Sequence, residues 1–237
     1  MTRGYLRRKI VTGITDIEGL YDSAADKYDD MYSDAKHKKI VEAENKFLKD
    51  IIHTKNFGSV LDAGVGTGLF LDIFSEQVPC SNYLGLDISQ EMLNNAEEKH
   101  PSYLFRHIDF MEYPVIYKFD TVISYFAIAD YCGLAGVKKL TQHLNDDGML
   151  VCTFINSKGG YDPHYHNEVG ADIPVNKYCF SDLDIFLKGL NFKWYYVLGF
   201  SNVVYNDKNS TEDIYQSMMM HKHNLNNPKY FYLMAQV

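Results

Sequence analysis

The chain has 237 residues, of which 46% are hydrophobic and 23% charged; this is ordinary globular usage and excludes collagen-like, coiled-coil and disordered readings. Lys and Arg number 23 against 31 Asp and Glu, a net charge of -8, so no basic field gathers phosphate backbones or anionic lipid, and neither nucleic acid nor membrane is an expected partner. Aromatic residues reach 14%, with 19 Tyr and 14 Phe, more flat and partly polar surface than a core of this size requires, and some of it is expected to line a pocket.

No run approaches the roughly 18 apolar residues that cross a bilayer. The opening MTRGYLRRKIVTG is basic with no apolar segment behind it, so a secretory signal is not expected. Cys80, Cys132, Cys152 and Cys179 are scattered without a C-x-x-C, which argues for reduced thiols in a cytoplasmic protein and against a zinc knuckle.

In chain order, an amphipathic helix is predicted over Ile40–Ile52, with Ile40, Val41, Phe47, Leu48, Ile51 and Ile52 as its apolar stripe. From Ser59 onward, short β-rich runs alternate with helix-compatible stretches, the pattern of a parallel sheet with crossover helices. The predicted strands are Ser59–Asp62, Tyr83–Asp87, Tyr103–Ile108, Phe119–Tyr125 and Met149–Ile155. The helices between them are Gly68–Gln77, Gln90–Lys99 and Leu134–Leu144. The stretch Asn156–Tyr178, rich in Gly, Pro, His, Asn and Tyr, is long for a loop and is expected to be functional. A helix capped by Ser181 and stopped by Gly189 follows. Strands Phe192–Phe200 and Tyr230–Val237 close the chain, with a helix or lid over Thr211–Asn224 between them. Met218, Met219 and Met220 are consecutive, so at least one should be exposed.

The most informative string is VLDAGVGTG, residues 60–68, which leaves a buried strand and enters a helix through Gly64, Gly66 and Gly68. Without a Cβ such a turn can press against a ligand, beside the free N–H groups of a helix start. A dinucleotide fingerprint needs a glycine where Leu69 stands, and no G-x-x-x-x-G-K-[ST] string occurs. About 20 residues on, Asp87 ends the next predicted strand, where a carboxylate can accept both hydroxyls of a ribose. Gly66 and Asp87 should therefore face one crevice.

With these motifs, and with LGLDIS, RHIDFMEY, FDTVISYFAIADY and LNDDGMLVCTFIN in the same order, the chain resembles the class I S-adenosylmethionine-dependent methyltransferases from about Tyr21 onward. The resemblance implies an α/β fold, a Rossmann-like seven-stranded, mostly parallel sheet with helices on both faces. It divides a single domain into an N-terminal helical lid (residues 1–55), a cofactor-binding core (56–155) and a substrate-facing loop, helix and closing strands (156–237). Asp62 and the turn Gly64, Gly66 and Gly68 would hold the methionyl end of the cofactor, and Asp87 the ribose. Ile88 and Met92 would sandwich the adenine, with Asp109 and Phe110 at its amino edge, while Ser124 and Tyr125 would flank the transferring methyl.

The segment YDSAADKYDDMY, residues 21–32, resembles the entry lid of small-molecule members and turns Tyr28 and Tyr32 inward. The alternative for these tyrosines is an aromatic staple that holds the first helix down. Methyl transfer from a sulfonium needs alignment above all, and a general base only for an acceptor that must lose a proton. His164 and His166 in the long loop are candidate bases, with Tyr161 and Tyr165 as substrate walls; a metal role for these histidines lacks a recognisable ligand spacing. The expected protein is thus a methyltransferase acting on nitrogen or oxygen of a small aromatic or heterocyclic metabolite, with S-adenosylmethionine as donor, S-adenosylhomocysteine as product, no metal, and a monomeric or homodimeric state. A protein or RNA methyltransferase and a non-catalytic cofactor-binding subunit are the alternatives.

Overall fold

A computed structural model describes residues 16–32, 35–52, 56–159, 175–200 and 209–237. Seven strands form one sheet: β1 (Val60–Ala63), β2 (Tyr83–Asp87), β3 (Leu104–His107), β4 (Phe119–Ser124), β5 (Leu144–Ile155), β6 (Trp194–Phe200) and β7 (Tyr230–Gln236). Their order is β3-β2-β1-β4-β5-β7-β6. The pairs from β3 to β5 are parallel, and β7 runs antiparallel to both β5 and β6. This is the seven-stranded, mostly parallel α/β sheet expected from the sequence.

The described helices are α1 (Ile17–Tyr28), α2 (Ala35–Ile51), α3 (Leu69–Phe74), α4 (Gln90–Lys99), α5 (Ile128–Gln142), α6 (Phe180–Lys188) and α7 (Thr211–His221). They cover both faces of the sheet. On one face Phe47 of α2, Phe70 and Phe74 of α3, Leu93 of α4 and Met218 of α7 pack against Val60, Ile123, Val151 and Tyr232. On the other, Val137 and Leu140 of α5 and Leu183 and Leu187 of α6 pack against Leu61, Val122, Leu150 and Phe231. Strand alternation makes this division: Tyr230 and Tyr232 face α2, whereas Phe231 and Leu233 face the opposite layer.

Local chemistry explains where elements begin. Ser89 Oγ accepts the Met92 N–H and starts α4 at the expected residue, and Ser210 with Asp213 forms a capping box ahead of α7. Several starts differ from expectation, among them that of α2, at Ala35 rather than Ile40. Helix α6 begins at Phe180 with Cys179 at the cap, so Ser181 lies inside the first turn and caps nothing. Helix α5 begins at Ile128, not Leu134: Gly133, at φ 66° and ψ -163°, interrupts an otherwise helical run, and the sequence pattern registers only the half beyond it. Strand β5 starts five residues early, at Leu144, because Phe119 pairs with Leu144 before an irregularity in the register. Among the three methionines of α7, Met218 is buried, Met219 half-buried and Met220 76% exposed, as their consecutive spacing requires.

Candidate active site

The carboxyl ends of the parallel strands open onto one cavity of about 970 Å³. That is the top of the usual range for small-molecule sites, and leaves space for more than a single nucleoside. The turn after β1 forms its floor. Gly64 and Val65 donate their N–H groups to the Leu86 carbonyl at 2.8 and 3.0 Å, which ties the turn to β2. Gly66 donates its N–H to Asp87 Oδ2 at 2.8 Å, and Ser89 donates to Asp87 Oδ1 at 2.9 Å. Burial pushes the Asp87 carboxyl up, and these backbone N–H groups pull it back toward ionisation.

The glycines differ in what they permit. A Cβ on Gly64 would stand 2.2 Å from that of Ala127, whereas one on Gly66 would meet nothing within 4 Å, because it would project into the cavity. Gly68 is outside the cavity lining: it caps α3 at φ 92°, with the His100 ring beside it.

Asp62, only 3% exposed, reaches the cavity from the end of β1 and accepts the Tyr83 hydroxyl at 2.8 Å. Burial pushes its carboxyl up to about 7; the Tyr83 bond opposes the shift and the Asp87 charge adds to it. At the far end, Ile88, Met92, Asp109 and Phe110 form a wall of two apolar side chains, an acid and an aromatic ring. Asp109 also accepts the Met111 N–H through Oδ1 at 2.8 Å, so it combines the cavity position with the turn role.

Tyr125 and Tyr28 both line the cavity. The Tyr28 ring lies 6.3 Å from that of Tyr21, whose hydroxyl meets the Tyr131 hydroxyl at 2.5 Å. Ser124 does not line the cavity, contrary to expectation; it is buried in the sheet and its Oγ accepts the Ile128 N–H at 3.0 Å, which fastens the start of α5. His164, His166, Tyr161 and Tyr165 lie outside the described residues, as does the side chain of Tyr32.

The sequence reading missed the wall contributed by α2 and β7. Glu44 lies on the cavity and accepts the Tyr230 hydroxyl at 2.6 Å and that of Tyr232, both on Oε1. The signal was present: Glu44 sits at helical spacing inside the stripe Ile40, Val41, Phe47, Leu48, Ile51, an acid on an otherwise apolar face. Tyr230 and Tyr232, two residues apart in a strand, necessarily share that face.

A methyltransferase-domain family model matches residues 61–150, the span from β1 into β5 that builds the floor and the far wall. An uncharacterized methyltransferase of Bacillus cytotoxicus is 30% identical over 143 residues, 58% of this chain and 66% of the relative, just under two thirds of its length. Its counterpart in Bacillus mycoides matches with the same identity and coverage. The chain carries a methyltransferase domain over residues 61–150. Solved structures agree on the fold. An S-adenosylmethionine-dependent methyltransferase of Thermotoga maritima, described as a possible histamine N-methyltransferase, superposes with a TM-score of 0.68 at 13% identity, over 92% of this chain and 98% of that one. Magnesium protoporphyrin IX methyltransferase of Synechocystis, solved with S-adenosylhomocysteine, gives 0.60 at 16% identity, over 93% and 97%. Among the described residues no helix is long and apolar enough to cross a membrane.

Proposed function

We propose that this protein transfers a methyl group from S-adenosylmethionine to nitrogen or oxygen of a small, flat metabolite. The observation that carries the reading is the open floor at Gly66, where a side chain would fill the cavity, with its N–H held by Asp87. A backbone approach of that kind suits a ligand lying directly on the turn. Asp62 would take the cofactor's ammonium, Asp87 its ribose hydroxyls, and Ile88 and Met92 its adenine, with Asp109 and Phe110 at the adenine edge. When bound, the cofactor supplies a methyl carbon activated by a sulfonium.

The chain's contribution is then alignment, exclusion of water and stabilisation of positive charge. Tyr125 lines the same cavity as Asp62 and Glu44 and feels the charge of both, so the Glu44 wall and the proposed methionyl end share one enclosure. Residues ahead of β1 would serve as the lid. A small acceptor is favoured over a macromolecule by the net charge of -8 and by the aromatic lining. Calorimetric titration with S-adenosylhomocysteine tests the reading: micromolar binding is expected, weakened about tenfold but still measurable in Asp87→Ala, and no heat of binding by the intact protein would overturn it.

A further inference from the structure

The cavity has a second acidic pole that cofactor binding does not use. Glu44 receives both tyrosine hydroxyls on Oε1, and no hydrogen bond reaches its Oε2 among the described residues. Around it stand rings: Tyr232 lies 6.4 Å from Tyr125, edge to face, and Tyr230 lies 4.7 Å from Phe126 and 4.3 Å from Phe200, stacked on the latter. The Tyr125 hydroxyl beside them is buried without a hydrogen-bond partner among the described residues. Each feature favours a cation that also donates hydrogen bonds. A carboxylate oxygen accepts an N–H, ring faces attract positive charge, and an orphaned hydroxyl oxygen has a lone pair to offer. An alcohol or a carboxylate uses this set poorly, because a second anion would be repelled and a neutral hydroxyl gains nothing from the ring faces.

The geometry points to an amine as the methyl acceptor, with Glu44 as the residue that selects it and the rings of Tyr125, Tyr230 and Tyr232 as its box. This assignment rests on the methyltransferase reading and names its substrate class. Glu44 can also prepare the nitrogen. Transfer of one proton from the ammonium to the carboxylate breaks an N–H bond, forms an O–H bond and leaves the electron pair on nitrogen. The amine is then neutral and has a free lone pair. Burial pushes the Glu44 carboxyl up against the pull of its two tyrosine donors, which brings the two proton affinities closer together.

The test is a matched panel on one skeleton: phenethylamine, phenethyl alcohol and phenylacetate, with the corresponding indole and imidazole series, titrated calorimetrically into the intact protein with and without S-adenosylhomocysteine. At least one amine should bind tenfold or more tighter than its alcohol and carboxylate partners, the usual effect of a charge-assisted contact, and Glu44→Gln should erase the difference. Equal affinities throughout each series, or no amine binding, would overturn the assignment. So would an amine preference that survives in a Glu44→Gln protein with an unchanged melting profile. The wild-type comparison stands even if the variant fails to fold. Absence of S-adenosylhomocysteine binding would count against the methyltransferase reading alone, since the amine preference is scored without it as well.

Discussion

The Tyr83 hydroxyl donates to Asp62 at 2.8 Å across two adjacent strands, and it opposes the burial that lifts this carboxyl to about 7. Tyr83 is itself pushed well above its ordinary range by its own burial and by Asp62, so it remains a donor throughout the accessible pH range. Asp62, the acid proposed for the methionyl end, is therefore poised between its two protonation states near neutrality.

An ammonium placed at Asp62 favours the ionised form, so binding of S-adenosylhomocysteine below pH 7 should release a proton. Affinity should weaken by up to about tenfold per pH unit as pH falls below 7. Without ligand the sign is opposite: a folded carboxyl raised from 3.8 to about 7 contributes most to stability at low pH, and that contribution declines as pH rises through this window. Calorimetry at pH 6 in two buffers of different ionisation enthalpy measures the released proton directly; identical apparent enthalpies would refute the Asp62 assignment. Tyr83→Phe should shift the affinity profile toward alkaline pH.

Asp87 has one task in the fold and one proposed for the ligand. Asp87→Ala removes the acceptor for two backbone N–H groups and should cost about 1–3 kcal/mol of stability. For the ligand task, the 2′-deoxy analogue of S-adenosylhomocysteine should bind the wild type about tenfold less tightly than the parent, whereas the variant should bind both alike. A discrimination that persists in the variant would assign the ribose to some other group.

Gly64 and Gly66 separate strain from occlusion. Both have left-handed backbones, at φ 78° and 55°, and alanine there costs roughly 1–2 kcal/mol. Gly64→Ala adds a collision with Ala127, for a total of about 2–5 kcal/mol. Gly66→Ala adds no collision, so its melting temperature should fall by only about 2–8 °C, while its added methyl group projects over the cavity floor and cofactor affinity should drop tenfold or more. Equal stability losses in the two variants, read by thermal denaturation, would contradict the difference in their surroundings.

Ser124 should register in folding. Removing its hydroxyl leaves the Ile128 N–H without its acceptor, a loss of about 1 kcal/mol, or 2–4 °C in a chain of this size. A Ser124→Ala protein that melts like the wild type would show that α5 does not depend on this bond.

The half of the site proposed for the cofactor was legible because its signals are local. Strand β2 and helix α4 fall on their expected residues, and the Gly66–Asp87 pairing follows from a turn and a strand tip about 20 residues apart. The half proposed for the acceptor was not, because its residues are brought together from distant parts of the chain. Glu44 meets Tyr232 across 188 positions, and nothing near either residue announces the other. Ser124 misled because a hydroxyl at a strand end suits either a ligand or the next helix, and only the start of α5 at Ile128, whose N–H it accepts, reveals which it serves. The start of α5 was hidden by Gly133, whose backbone no periodicity could anticipate.

Helix α1 buries only Leu20, Ala24 and Ala25. Besides the edge-to-face contact of Tyr21 with Tyr131, it is fastened by oxygen: Asp22 receives the Ser89 hydroxyl, Asp29 receives that of Thr67 and the Lys99 ammonium, and the Ala25 carbonyl receives Asn95. So small an apolar anchor, with ties that water and dissolved ions can replace, makes this wall the one that detaches at least cost among the described residues. The other described walls are the sheet's strand ends, their loops and the helices packed against the sheet. Traffic of nucleoside in and out would then proceed by peeling one helix, faster in concentrated salt, with the strands and their glycine floor undisturbed.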